Sequence, residues 1–269
     1  MHIFLFLALI YSFLVNASQR ESEDVKILVL VIASDNLPCY IEEQKIWSSY
    51  MNSFPENVES YLIKADPRLK KPVLIKGDVV WSKTDESLRP GILKKTILSL
   101  EAFSDRLEHE FDYVLRANLS SFFILPRLIE FAKNLPRTKC YSGQVFASET
   151  VWHDLSWVGG HGILMSSDLA LELVKQKKFL FKFPSDHNDD IVIALFFKDF
   201  LNVVAQEHPC AWISSASDFK SKKDLISKQD FFFRLKNLGS DSMRSTEEVY
   251  VQKEMRNMFY PQPIGEAHD

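Results

Sequence analysis

Phe111–Phe123 reads FDYVLRANLSSFF. Its apolar core, Tyr113–Ala117, predicts a central strand, and the polar residues behind it predict a strand end that opens into a crevice. A second stretch, Gly159–Leu195, begins GGHGILMSSDLA and ends NDDIVIAL. It reads as a glycine turn, a helix, and then two carboxylates, Asp189 and Asp190, at the start of another helix. Open α/β sheets gather polar groups at strand ends to hold nucleotides and sugars. Together the two stretches point to an enzyme.

The flanking sequence supplies the rest of such a sheet. Val25–Ala33, VKILVLVIA, is apolar almost throughout, as in a strand covered on both faces. Ser34–Cys39 reads as a turn. Tyr40–Tyr50 spaces Ile41, Ile46, Trp47 and Tyr50 along one helical face. Val58–Lys64 and Val73–Lys76 are further expected strands, and Pro90–Phe103 is an amphipathic helix. Pro126–Asn134 is a helix that Pro136 stops. Lys139–Phe146 reads as a strand, followed by a loop carrying Trp152, His153 and Trp157. Ile163–Met165 leads into a helix at Ser167–Lys175, and Ile191–Phe200 forms the next. Val203–Ala205 and Phe231–Leu235 read as short strands. This alternation predicts an α/β fold with a mixed, mostly parallel sheet and helices on both faces. The loop-rich second half adds antiparallel strands at one side.

Composition narrows the function. Hydrophobic residues make up 46% and charged residues 25%, so residues 25–258 are expected to form one globular domain. The 21 phenylalanines favour an aromatic core. A formal charge of -4 gives no reason to expect a nucleic-acid partner. Cys39, Cys140 and Cys210 match no zinc spacing, and three buried thiols are the default, with one disulfide allowed in a secretory lumen.

Ile3–Val15 is apolar apart from Ser12 and ends at Val15-Asn16-Ala17, a small-residue cleavage pattern. The run falls short of the roughly 20 residues of a membrane span. Residues 1–17 are therefore expected to be a secretory signal peptide, or a short signal anchor if uncleaved. Membrane contact would come through this segment alone. Residues 259–269 are expected to be a polar, loose tail.

Five motifs in order resemble those of the β1,3-galactosyltransferase and Fringe-like glycosyltransferases, which have the GT-A fold. YIEEQKIW at Tyr40–Trp47 lies where that family has RRxAIRxTW, and ESLRPGILKKT at Glu86–Thr96 is similar to DSYxNLTxKT. Tyr113–Phe123 stands where the family's strand ends in a metal-binding DxD. SWVGGHGILMSSDLA at Ser156–Ala170 resembles CSGGGYVLSxDLA, and NDDIVIA at Asn188–Ala194 resembles EDVxxG. The DxD carboxylates are absent, with Arg116-Ala117-Asn118-Leu119-Ser120-Ser121 in their place. Gln44 replaces the helix arginine and Ala194 the EDVxxG glycine.

The resemblance implies an inverting transfer from a nucleotide sugar, a UDP-sugar by the family's habit, to a carbohydrate acceptor in the secretory pathway. Asp190 aligns with the family's helix-start aspartate and is the expected base, with Asp189 in reserve; the same residues also suit a plain helix cap. Neutral Asn and Ser are poor ligands for a hard cation, so a reaction without a metal cofactor is expected over one using Mn²⁺. Fixed cations would then stabilise the leaving diphosphate: Lys95, Arg116, Arg234 and Lys236. Arg234 and Lys236 equally suit the solvent face of an edge strand. Asn118, Ser120 and Ser121 are expected to line the donor pocket, with Ala33, Ser34 and Asp35 at the end of the first strand. Trp157, Gly160 and His161 are expected beside the acceptor, although aromatic loop residues are more often buried. An acid and histidine cluster at Asp186, His187, Asp189 and Asp190 has no recognised ligand spacing.

Overall fold

The structure, a computed structural model, describes residues 25–148, 155–183 and 187–261. The leader, Trp152, His153, Asp186 and most of the expected tail lie outside the described residues. The strands are β1 (Ile27–Ile32), β2 (Val58–Ala65), β3 (Val73–Lys76), β4 (Val79–Ser82), β5 (Tyr113–Asn118), β6 (Ser121–Phe123), β7 (Tyr141–Gly143), β8 (Val145–Ser148), β9 (Leu155–Val158), β10 (Gly162–Ser166), β11 (Gln206–Glu207), β12 (Ala211–Trp212) and β13 (Phe232–Arg234). The helices are α1 (Pro38–Ser48), α2 (Gly91–Ala102), α3 (Ser104–His109), α4 (Leu125–Ala132), α5 (Ser167–Lys175), α6 (Lys177–Leu180), α7 (Asp189–Leu201), α8 (Ala216–Lys222), α9 (Asp241–Met243) and α10 (Val249–Phe259). A π-helical turn, Arg244–Glu248, joins the last two.

One eight-stranded sheet runs β11-β7-β10-β5-β1-β2-β4-β3. Strands β1, β2, β4, β5, β7 and β11 point one way, and β3 and β10 the other. Alternate residues of β1 serve opposite faces, as a pleated strand requires. Val29 and Val31 join a core with Trp47 of α1 and Tyr50 just after it, while Leu28 and Leu30 join Ile97 of α2, Leu173 of α5 and Phe197 of α7. Helices therefore cover both faces, the condition under which a parallel strand can be apolar throughout.

The connections also fix where a ligand can enter. The chain builds β1, β2 and β4 outward in one direction, then returns to lay β5 against the other side of β1. The reversal leaves a crevice beyond the carboxyl ends of β1 and β5, the usual binding place in such sheets.

Several expected elements shift. Lys139–Phe146 splits: β7 belongs to the large sheet, whereas β8 pairs with β9 in a separate hairpin. The break falls after Gly143, where a Cβ would stand 2.4 Å from the Gly162 carbonyl oxygen. Val203–Ala205 is no strand, since Asn202 ends α7 in the left-handed region and Val203 turns into the core; pairing starts at Gln206. Strand β13 lies between β12 and β6, which overturns an edge position for Arg234. The ordered chain also runs past Met258. Tyr260 stacks on Tyr50 at 4.6 Å, and its hydroxyl bonds the Phe123 carbonyl and the Leu125 N–H. Cys39 and Cys140 are buried free thiols, and Cys210 is half-buried and free.

Candidate functional site

A cavity of about 360 Å³ occupies the crevice between β1 and β5. Ala33 and Ser34 form one wall, Asn118 and Ser120 another, and Arg234 and Lys236 a third. The β5–β6 turn between them is held from several sides. The Leu119 carbonyl accepts from Trp47 Nε1 and Gln252 Nε2, each at 2.9 Å, and the Ser120 carbonyl accepts from the Leu235 N–H at 2.9 Å. Such bracing fixes the backbone of the turn that carries Asn118 and Ser120.

The cations of the cavity differ in what they already hold. Lys95 Nζ donates to the Ala33 carbonyl at 2.8 Å and to Glu86 Oε2 at 2.6 Å. Burial lowers its proton affinity and Glu86 works against that. Lys95 is thus a buried brace between α2 and β1, its ammonium already neutralised. Arg234 is 8% exposed and donates only to hydroxyls, Ser120 Oγ at 2.8 Å and Ser121 Oγ at 3.5 Å. Lys236, half-buried, makes no hydrogen bond or ion pair among the described residues. Burial brings Arg234 down to about 10. It also lowers Lys236, helped by the neighbouring charges of Arg234 and Arg244. Neither cation has a carboxylate at ion-pair distance among the described residues.

Neither carboxylate of the α7 start is among the residues that line this cavity. Register pairs Gly162 of β10 with Ala117 of β5, so the Gly159–His161 turn projects at the level of Asn118 and Leu119. Asp190 Oδ2 accepts from the Gly160 N–H at 2.9 Å, and Oδ1 from the Ile191 N–H at 2.9 Å. Each carboxylate oxygen keeps a lone pair. Asp189 has another role: its Oδ2 accepts from Arg116 Nη2 at 2.6 Å, and the pair is buried. Arg116 is therefore not part of the cavity wall, and its Nε and Nη1 have no partner among the described residues. Neither acid caps α7 in the ordinary way, because Asn188 is the N-cap residue.

Other expected contacts fall elsewhere. Asp35 points out of the cavity to Lys64 at 2.7 Å and Gln44 at 3.2 Å. Ser121 is buried below it and donates to the His161 carbonyl at 2.7 Å. His161 is a packing residue: its ring stacks on Phe232 at 5.4 Å, and its Nε2 sits 2.8 Å from Gln144 Oε1. Burial drives its proton affinity down to about 3, so it stays neutral. Trp157, half-buried, stacks on Phe146 at 5.9 Å. Tyr40, Glu86 and Arg244 line the cavity unanticipated. Glu86 opens the ESLRP motif, so its partnership with Lys95 had a signal; Arg244 had none.

The strand-end residues do not suit a divalent cation. Asn118 and Ser120 are neutral, a guanidinium stands two residues before Asn118, and no group of three His, Cys, Asp or Glu side chains among the described residues could hold a metal. No described helix is long and apolar enough to cross a membrane.

No protein-family model matches this sequence, and no curated protein matches it either. Solved structures do match. One is the crystal structure of a glycosyltransferase involved in the glycosylation of the major capsid of PBCV-1, at TM-score 0.48 and 10% identity, over 84% of this chain and 99% of that one.

Proposed function

We propose that the protein is an inverting glycosyltransferase of GT-A-like fold that moves a sugar from a nucleotide-sugar donor, a UDP-sugar, to a carbohydrate acceptor in the secretory pathway. One observation carries this reading. Arg234 and Lys236, two cations without a carboxylate partner, face Asn118 and Ser120 in a cavity at the sheet's reversal point. A nucleoside diphosphate supplies the missing negative charge, and its ribose and sugar hydroxyls suit the Asn and Ser side chains.

The step needs no metal. The acceptor hydroxyl oxygen attacks the anomeric carbon as Asp190 takes its proton, and the carbon–oxygen bond to the diphosphate breaks. The leaving diphosphate carries off the electron pair, stabilised by Arg234 and Lys236. Asp190 suits the base because Asp189 is committed to Arg116.

A thermal-shift series against nucleotide sugars, with Mn²⁺ or with a chelator, tests the donor. One UDP-sugar at a hundred times its dissociation constant is expected to add about 2.7 kcal/mol in either condition. Failure of every nucleotide sugar to stabilise the protein would sink the reading. A second reading, a non-catalytic protein that binds a glycan or nucleotide sugar, is favoured by the backbone N–H groups already seated on both Asp190 oxygens. Asp190→Asn separates the two: an enzyme loses about 10²–10⁴ in turnover while donor affinity holds.

A further inference from the structure

Arg234 and Lys236 come from β13 and the residues just after it, but a third cation reaches the same cavity from a different element. Arg244 opens the π-helical turn Arg244–Glu248 and is 9% exposed. Turns of this kind are rare and frequently stand at functional sites. Both ends of this one, Arg244 and Glu248, are buried.

The guanidinium is aimed. Its Nε and Nη2 donate to the two Glu248 oxygens at 2.9 and 3.1 Å, and Nη1 donates to the Tyr40 hydroxyl at 3.3 Å. Glu248 is itself fixed by the Asn237 N–H at 2.7 Å. An arginine has five N–H donors in a planar fork. These bonds leave one hydrogen each on Nη1 and Nη2 of a side chain that lines the cavity, donors that a phosphate can accept.

Resting on the nucleotide-sugar reading, we propose that Arg244 is a third phosphate-binding side chain of the crevice, with Glu248 as the residue that positions it. Charge balance supports this assignment. Glu248 offsets one guanidinium, yet Arg234 and Lys236 remain beside it without a partner. Glu43, wholly buried next to Glu248, adds no second negative charge. No donor among the described residues reaches its oxygens, and burial, with Glu248 behind it, lifts its proton affinity well above the usual carboxylate range. The three cations therefore keep a net excess of positive charge that a diphosphate would cancel.

Calorimetric titration with UDP and with inorganic pyrophosphate, in chelator, tests the assignment on the full chain. Arg244→Gln alone strands Glu248 in the interior and is expected to lower the melting temperature. Arg244→Gln with Glu248→Gln removes both charges and is expected to recover that loss, while both ligands still bind about tenfold or more weakly. Arg244→Lys, which keeps the charge but not the fork, is expected to melt near wild type and also bind pyrophosphate more weakly. Wild-type affinity in the double variant or in Arg244→Lys overturns the assignment and leaves the nucleotide-sugar reading standing. A wild-type protein that binds neither ligand overturns both.

Discussion

Arg116 and Asp189 form a buried ion pair at 2.6 Å, joining the middle of the central strand to the first turn of α7. The bond gives Asp189 a buried structural partner that Asp190 does not share. Burial raises the proton affinity of Asp189, with Arg116 opposing and Asp190 adding to it. Asp189→Asn leaves Arg116 charged and unpaired in the interior, and is expected to cost about 3–5 kcal/mol in urea denaturation. Replacing both, Arg116→Met with Asp189→Leu, is expected to recover most of it. A double variant as unstable as the single one would show that packing, not the charge pair, matters here.

Gly160 sits where a side chain has no room. A Cβ there would stand 2.8 Å from Arg116 Nη1 and 3.3 Å from Asp190 Oδ2. Gly160→Ala is therefore expected to displace both groups and lower kcat, because a base moved by about 1 Å can lose roughly a hundredfold in rate. Donor affinity, set in the neighbouring cavity, is expected to hold within a factor of about 3. Steady-state kinetics alongside UDP titration separates these effects; equal losses in both would contradict the division of labour.

Lys236 offers the opposite case, a charge with nothing to lose in the free protein. Burial, and then Arg234 and Arg244, disfavour its charged form, so Lys236→Ala is expected to leave the melting temperature unchanged or raise it. The same change is expected to weaken UDP binding about tenfold and flatten its dependence on salt. Titrations at two ionic strengths check this, and an unaltered salt slope would count against a phosphate role.

Glu43 predicts a pH dependence of definite sign. Its folded proton affinity is raised, so the native state holds a proton that the unfolded chain releases above about pH 4.5. Its contribution to stability is complete below that pH and is lost as pH climbs toward the folded value, by about 1.4 kcal/mol per pH unit across the window. Glu43→Gln, which cannot ionise, is expected to melt close to wild type at pH 4.5 and increasingly above it toward pH 8. Parallel melting curves across that range would refute the sign.

Much of the frame was legible because its cause is local. Val25–Ala33 and Tyr113–Ala117 are apolar apart from Lys26 and Arg116, as suits strands covered on both sides. The helix-start carboxylates and the glycine turn were likewise visible. What stayed hidden depends on contacts distant in sequence. Lys95 lines the cavity, but its bond to the Ala33 carbonyl, 62 residues away, had no local signal. His161 read as an acceptor contact because its stacking partner, Phe232, lies in another sheet. Asp35 reads as a pocket residue until Lys64 draws it aside. The split after Gly143 depends on an approach to Gly162 that no periodicity encodes. Arg244 meets Tyr40 across 204 residues, and short-range pattern cannot announce such a pair.

The placement of Arg234, Lys236 and Arg244 bears on how the protein matures. All three follow Glu207, the last residue of the large sheet in chain order. A ribosome would release every strand of that sheet before any of the three basic groups emerged. The nascent sheet and its helices could collapse around their apolar interior without like charges crowding the rim, and the repulsive chemistry would be added last to a scaffold already rigid enough to bear it.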